Sequence, residues 1–219
     1  MRNKIQALYN KQFRGGLEKA ILEMLEYNPK ATYLDLGCQE GIFTKKMASK
    51  IGTGNIQGID LVEGNATGII KVASDLEEPL PFPDGILNVI TASHIIEHLS
   101  NTDNFIKETY RTLVPGGYAI VSTPNLSSFH IIAMLLLNKQ PTTCSISDKM
   151  VEAWMDIGPR HRRLFTMEGL VSLLTYYKFT VERKIYSGYF PLPDWISKIV
   201  FYGGVHSNCI TVKARKPNE

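Results

Sequence analysis

"YLDLGCQEGIFTKKM", residues 33–47, decides the fold. An apolar run enters a turn carrying Gly37 and Gly41, and helical spacing follows from Ile42. A strand that passes through a glycine turn into a helix is the repeating unit of a layered α/β sheet, and the turn then lies at the strand's C-terminal end, where such sheets hold ligands. Two residues restrict the ligand. Asp35 puts a carboxylate where a phosphate would be repelled, and Gln39 stands where nucleotide loops commonly have another glycine. The Gly-x-Gly-x-x-Gly spacing that seats a pyrophosphate on a helix N-terminus is missing, and so is a Gly-Lys-Ser/Thr loop.

Working outward, strands and helices alternate. Residues 16–27 have helical spacing and end before Asn28-Pro29. "TYLDLG" (32–37), "NIQGID" (55–60), "GIIKVAS" (68–74), "ILNVITAS" (86–93) and "YAIVSTP" (118–124) read as five strands. Helices are expected at about 42–50 and at "DNFIKETYRTLV" (103–114), the latter closed by Pro115-Gly116-Gly117 acting as a helix stop. "SSFHIIAMLLL" (127–137) is a helix for which core packing is the expected role. A polar, irregular insertion follows at 138–165, then a helix at "TMEGLVSLLTYY" (166–177) and two late strands, "FTVERKIY" and "CITVKAR". Continuous apolar strands separated by helices favour a parallel sheet covered on both faces.

The composition sets bounds. A chain of 219 residues can bury one substantial core, so one domain is expected over 1–219, with 1–30 as an N-terminal helical cap, 30–125 as the ligand-binding core and 138–165 as a substrate-side insertion. A net charge of +3 is too small to argue for nucleic acid as a partner. Cys38, Cys144 and Cys209 are odd in number and widely spaced, which suits neither a disulfide framework nor a zinc pair and fits a reducing cytoplasm. The longest apolar run, "IIAMLLL", falls far short of the ~20 residues of a spanning helix, so integral membrane contact is not expected, though peripheral association is compatible with it.

Strand C-terminal ends collect Asp35 to Gly41, Asp60, Asp75 and Ser93 to His98. Carboxylates at three successive strand ends suit a ligand with positive charge, a ribose diol and an adenine, and no phosphate. S-adenosyl-L-methionine has these features, and Asp60 can accept both ribose hydroxyls.

In "YLDLGCQEG", "GIDL", "ASDLEEPLPFPDGILNVITASHIIEHL" and "FIKETYRTLVPGGYAIVSTPN", over about residues 30–125, the chain resembles the class I S-adenosylmethionine-dependent methyltransferases, in particular their small-molecule branch. The resemblance implies an α/β fold: a doubly wound, mostly parallel, seven-stranded Rossmann-like sheet with helices on both faces and an insertion after the fifth strand. It implies that Asp35, Gly37, Gln39 and Gly41 face the methionine part of the cofactor. Asp60 and Leu61 then meet the ribose, Asp75 and Leu76 the adenine, and Ser93 and His94 lie beside the cofactor. Two departures stand out: Gln39 replaces the middle glycine, and only fourteen residues separate Asp60 from Asp75, which predicts a turn in place of the usual helix.

His94-Ile95-Ile96-Glu97-His98 has the His-x-x-Glu-His spacing of a zinc-hydrolase motif, which on a helix puts both histidines on one face. A third protein ligand has to come from elsewhere. In some methyltransferases a Glu-x-x-Glu-His run here holds a divalent metal. With His94 in place of the first acid and no cysteine near, no metal is expected, and activity should survive chelation. His98 is instead a candidate base facing the acceptor, with His161 as a second. Arg160, Arg162 and Arg163 around His161 could pair with an anionic acceptor, or could be a solvated basic loop. "GPRHRRLFTMEGL" has a faint likeness to methyltransferases of glycan and lipid-linked sugar pathways. Three function classes are in view: a small-molecule O- or N-methyltransferase, a nucleic-acid methyltransferase, and a non-catalytic cofactor-binding protein. "TASH" at the fourth strand end, rather than Asn/Asp-Pro-Pro-aromatic, disfavours the second.

Overall fold

The computed structural model describes residues 15–61, 68–141, 161–188 and 204–218. Helix α1 (15–24) precedes β1 (Tyr33–Leu36), α2 (Ile42–Ile51), β2 (Ile56–Asp60), β3 (Ile70–Ala73) and β4 (Leu87–Ser93). A single 3-10 turn (Ile96–His98) leads to α3 (Thr102–Thr112), β5 (Leu113–Pro124), α4 (Phe129–Leu136), α5 (Met167–Tyr176), β6 (Thr180–Ser187) and β7 (Cys209–Arg215). The seven strands form one sheet in the order β3-β2-β1-β4-β5-β7-β6. β1 pairs in parallel with both β2 and β4, while β7 runs antiparallel between β5 and β6. The chain therefore reverses its direction of winding between β1 and β4, and the crevice of an open α/β sheet lies at such a switch point.

Side-chain alternation along β1 divides the core. Tyr33 packs with Leu17, Ile21 and Met24 of α1 and Met47, Ala48 and Ile51 of α2 on one face. Leu34 and Leu36 face the other way, with Phe105 and Ile106 of α3 and Leu170 and Leu174 of α5. Each of these buried aliphatic side chains removes enough apolar area from water to contribute about 2 kcal/mol. Helices thus cover both faces, as the continuous apolar strands require.

Three elements depart from expectation. α3 stops at Thr112, and Pro115-Gly116-Gly117 lies inside β5 instead of ending the helix. Leu113 is already extended (φ −70°, ψ 138°), and Gly117 is needed there because the Asn88 and Val114 carbonyl oxygens would each lie 3.0 Å from a Cβ at that position. α4 buries only Ile131, while Leu135, Leu136 and Leu137 are exposed, so this helix is not the core element its composition suggests. The run from His94 forms no α-helix: His94 has φ 56°, and only the 3-10 turn follows. The turn expected between Asp60 and Asp75, the first half of the N-terminal cap and most of the 138–165 insertion lie outside the described residues.

Candidate functional site

The loop from β1 to α2 takes left-handed backbone at alternate residues: Gly37 (φ 79°), Gln39 (φ 48°) and Gly41 (φ 76°). Gly37 is required twice, by its φ and by space, since a Cβ would fall 2.1 Å from Ile95 Cδ1. The Gly37 and Cys38 N–H groups both donate to Ile59 O, at 2.8 and 3.1 Å, which fastens the loop to the end of β2. Gly58 leaves room for that fastening, because Cys38 Sγ would sit 2.6 Å from its Cβ. Gln39 thus adopts the conformation that glycine gives freely, and its exposed side chain is not what holds it there. Its N–H donates to Asp60 Oδ2 at 2.7 Å and its carbonyl accepts from Lys71 Nζ at 3.1 Å. Left-handed backbone costs a residue with a Cβ about 1–2 kcal/mol, against about 0.5–1 kcal/mol of extra chain entropy for glycine. Gln39→Gly is therefore expected to raise stability by about 0.5 kcal/mol in urea unfolding; a loss above ~1 kcal/mol would show that the glutamine side chain holds the loop.

Asp35 lies beneath this loop, 5% exposed. Its Oδ2 accepts from Thr44 Oγ1 at 2.5 Å and its Oδ1 from Thr91 Oγ1 at 2.6 Å; Tyr33 Oη joins the chain at 2.8 Å from Thr91 Oγ1. Burial pushes the Asp35 carboxyl up to about 6, the two hydroxyls hold it down in part, and the Asp60 charge pushes it further up. Burial likewise raises the Cys38 thiol to about 11, so this cysteine is no thiolate nucleophile.

The other expected cofactor residues are placed as follows. Asp60 ends β2 beside the loop, and Leu61 after it is 71% exposed, a large apolar side chain at the crevice. Asp75 is exposed and accepts from Glu77 N–H at 2.9 Å, an Asx turn, while Leu76 sends its side chain into the core. Ser93 ends β4 with Ser122 Oγ 3.4 Å away, and His94 N–H donates to Ser122 O at 3.0 Å.

Beyond β4, Glu97 is buried and organises its surroundings. Its Oε2 accepts from Thr123 Oγ1 at 3.0 Å. His94 Nδ1 lies 2.9 Å from Oε1 and pairs with it. Burial pushes the Glu97 carboxyl up, but His94, a hydrogen bond from its own backbone and His161 together hold it below the usual range. The Glu97 carbonyl accepts from the N–H groups of Arg162 (2.7 Å) and Arg163 (3.0 Å). Arg162 also hydrogen-bonds Ser100 Oγ, and Arg163 Nη2 donates to Ser100 O at 2.8 Å. This clamp brings His161 onto His98, with ring centroids 4.8 Å apart. The described part of the basic run thus docks a distant segment onto the 3-10 turn, and Arg160 lies outside the described residues.

The two candidate bases, 63 positions apart in the chain, are neighbours. One premise of the metal-free expectation does not hold, because Cys209 Sγ lies 3.8 Å from His94 Nε2; His94 still stands in place of the acid, and the third ligand-type side chain beside Glu97 and His98 is His161. Sequence reasoning missed Thr44, Thr91 and Lys71, for which hydroxyls and a lysine in regular elements gave no signal, and it missed Glu97 as a hub. Three pairings also had no local signature: Gln39 N–H with Asp60, His161 with His98, and Cys209 with His94.

A methyltransferase-domain family model matches residues 9–184. A Mycolicibacterium smegmatis protein described as "Probable S-adenosylmethionine-dependent methyltransferase" is 30% identical over 102 residues, covering 44% of this chain and 39% of that protein. A ubiquinone biosynthesis O-methyltransferase of Hydrogenovibrio crunogenus is 27% identical over 155 residues, covering 63% of this chain and 64% of that protein. The match thus spans less than two thirds of either relative. The crystal structure of an S-adenosylmethionine-dependent methyltransferase from Mesorhizobium loti superposes with a TM-score of 0.64 at 19% identity, over 92% of this chain and 99% of that one, a likeness of fold. With a family model matched over most of its length and the strand order and glycine loop described above, the chain belongs to the class I S-adenosylmethionine-dependent methyltransferases.

Proposed function

We propose that the protein binds S-adenosyl-L-methionine at the β1/β4 switch point and transfers its methyl group to an oxygen or nitrogen of a small acceptor beside His98 and His161. The observation that carries this is the loop whose alternate left-handed residues aim Gln39 N–H at the Asp60 carboxylate, above a buried Asp35. The residues fit the cofactor. An acid raised to about 6 by burial is complementary to a cation brought by a ligand, and Asp60, a carboxylate at the end of β2, is the acceptor type that a ribose diol needs. Leu61 offers exposed apolar surface at the same strand end.

Bound there, the cofactor supplies a methyl group on a sulfonium that leaves as a neutral thioether when an acceptor lone pair attacks in line. The chain's own work is then positioning and exclusion of water. Asp35 holds the ammonium end, Gly37 and Gly41 let backbone approach the ligand, Asp60 and Leu61 fix the nucleoside, and Asp75 and Leu76 border the adenine. Ser93 and His94 line the reacting end, and His98 with His161 activates the acceptor.

Oxygen is the favoured acceptor atom, since one Hydrogenovibrio relative is named an O-methyltransferase and a hydroxyl, a poor nucleophile when protonated, gains from the proton removal that histidines assist. We read the acceptor class as hydroxylated small molecules, sugars or lipid-linked intermediates among them. Exposed Leu135 and Leu136 at the end of α4, with Leu137 just after it, support an apolar acceptor tail or peripheral membrane contact. Among the described residues no helix is long and apolar enough to cross a membrane, and the unpaired, buried Cys38 and Cys209 favour a reducing compartment such as the cytoplasm.

The experiment is incubation with methyl-labelled S-adenosylmethionine and a panel of hydroxylated, aminated and nucleic-acid acceptors. Label on a small hydroxylated acceptor is expected. Label only on RNA or DNA would favour the nucleic-acid reading, and tight cofactor binding with no label on any acceptor would favour a non-catalytic binder.

A further inference from the structure

We propose that the tip formed by the end of α4, Leu135, Leu136 and Leu137 with Lys139, docks the protein on an anionic phospholipid surface by inserting its leucines among the lipids. The proposal rests on the methyltransferase reading for the use of this docking, which is to bring the crevice to an acceptor held in a membrane, but not for the docking itself. Ile131 and Leu135 lie four residues apart and so share one face of α4. Ile131 is 1% exposed and Leu135 57%, so the helix leaves the core within that turn. Every residue from Leu135 to Gln140 is exposed, Leu136 the most of the three leucines at 82%. The other end of α4 is tied down, since Phe129 N–H donates to His206 O at 3.0 Å beside the start of β7. Pro124 at the end of β5 pairs with Cys209 there, and Ser122 pairs with Ser93 at the end of β4, so the tip springs from the same end of the sheet as the crevice.

Shape is the first feature that names the occupant. Successive residues of a helix are about 100° apart, so three leucines in a row fan over roughly 200° of the tip. A helix that lies in a protein groove carries its anchors three and four residues apart, on one stripe. A fan as wide as this is covered on all sides by a medium that surrounds it, as lipid chains do. The tip is also closed rather than frayed. Asn138 takes left-handed backbone (φ 55°), and the N–H groups of Asn138 and Lys139 donate to Leu135 O at 3.0 Å and Met134 O at 2.8 Å. The leucines are therefore presented in a fixed turn, and little chain entropy is lost when they insert.

Charge is the second. Lys139 is exposed immediately beyond the leucines, and the chain has no Asp or Glu between Glu108 and Asp148. A negatively charged surface thus meets a cation beside the apolar tip and no carboxylate from the same stretch. The lysine stem is long enough to hold its ammonium group among lipid headgroups while the leucines sit below them. The net charge of +3 acts in the same direction at longer range.

The test is flotation of the full chain with vesicles of phosphatidylcholine, with and without phosphatidylglycerol, beside sedimentation of the protein alone. The parent is expected to float with the anionic vesicles and to be released as salt is raised. Leu136→Ser should lower partitioning on the order of tenfold, and Leu135→Ser combined with it should abolish flotation. Lys139→Gln should weaken binding about fivefold on anionic vesicles and leave neutral ones unchanged. Tyr176→Ser, which removes an exposed aromatic side chain on α5, should float like the parent. All four positions are exposed, so urea unfolding should match the parent and separate lost docking from lost folding. No flotation of the parent, or equal flotation of the double leucine variant, overturns the proposal. So does equal flotation with and without phosphatidylglycerol, which removes the anionic preference. A parent dimer that the double variant dissociates gives the tip to a second copy of the chain instead, and capture of another protein without flotation gives it to a protein groove. S-adenosylhomocysteine is titrated into the same preparation. If it binds while the protein does not float, the docking falls and the methyltransferase reading stands; flotation without S-adenosylhomocysteine binding gives the reverse.

Discussion

Asp35→Asn is expected to make the ligand-free protein more stable at pH 7 while weakening its hold on the cofactor. Burial, the main cause, pushes the carboxyl from its ordinary 3.8 up to about 6 in the folded chain. The native state therefore binds the proton more tightly than the unfolded chain, and stability falls as pH rises through the window from about 4 to about 6. Two pH units correspond to about 3 kcal/mol at pH 7. The amide removes this penalty and keeps one acceptor and gains one donor for the Thr44 and Thr91 hydroxyls, so a gain of about 1–3 kcal/mol is expected. His130 opposes the slope in the parent, because burial lowers its imidazole to about 4 and stability from that group rises with pH between about 4 and 6.5. The diagnostic quantity is therefore the difference between variant and parent in urea unfolding at pH 4, 5, 6 and 7, which should grow with pH. A variant that is less stable at every pH would mean that the ionised carboxylate is satisfied by the protein itself, and that no cationic ligand is needed to complement it. S-adenosylhomocysteine, whose ammonium would meet this carboxylate, should bind the parent more tightly as pH rises toward 7, and the variant without that dependence.

Asp60→Ala removes two interactions at once. The proposed ribose loses its acceptor, and the Gln39 N–H loses the partner that sits 2.7 Å away. Hydrogen bonds to a charged group are worth about 1.5–3 kcal/mol, so cofactor affinity should fall about 10- to 150-fold. Asp60→Asn still accepts from Gln39 and should fall between the parent and the alanine variant. Losing the Gln39 hydrogen bond lowers stability as well, so urea unfolding of each variant is measured beside its affinity. An unchanged dissociation constant in folded Asp60→Ala would move the ribose to another part of the crevice.

The order of strands and helices was legible because parallel strands buried on both faces are continuous apolar runs, and because Gly37 and Gly41 punctuate the first crossover. Boundaries were less legible where tertiary packing overrode a local signal. Pro115-Gly116-Gly117 reads as a helix stop, yet the pairing of Leu113 with Leu87 draws the strand back over it. "FHIIAMLLL" reads as a core helix, yet only Ile131 is covered among its residues. Within the site, the strand-end acids follow from period and position. The Asp35 hydroxyl cradle and the meeting of His98 with His161 do not, since each depends on side chains contributed by separate elements. The His-x-x-Glu-His spacing drew attention to the right segment for a wrong geometrical reason: no helix aligns His94 with His98, and the partner of His98 comes from position 161.

The central claim, a crevice built for S-adenosylmethionine and unfit for a pyrophosphate, is tested most directly by isothermal titration of the unaltered protein with S-adenosylhomocysteine and, separately, with NADH. One equivalent of S-adenosylhomocysteine should bind and NADH should give no heat above dilution. Binding of NADH with none of S-adenosylhomocysteine would contradict the account.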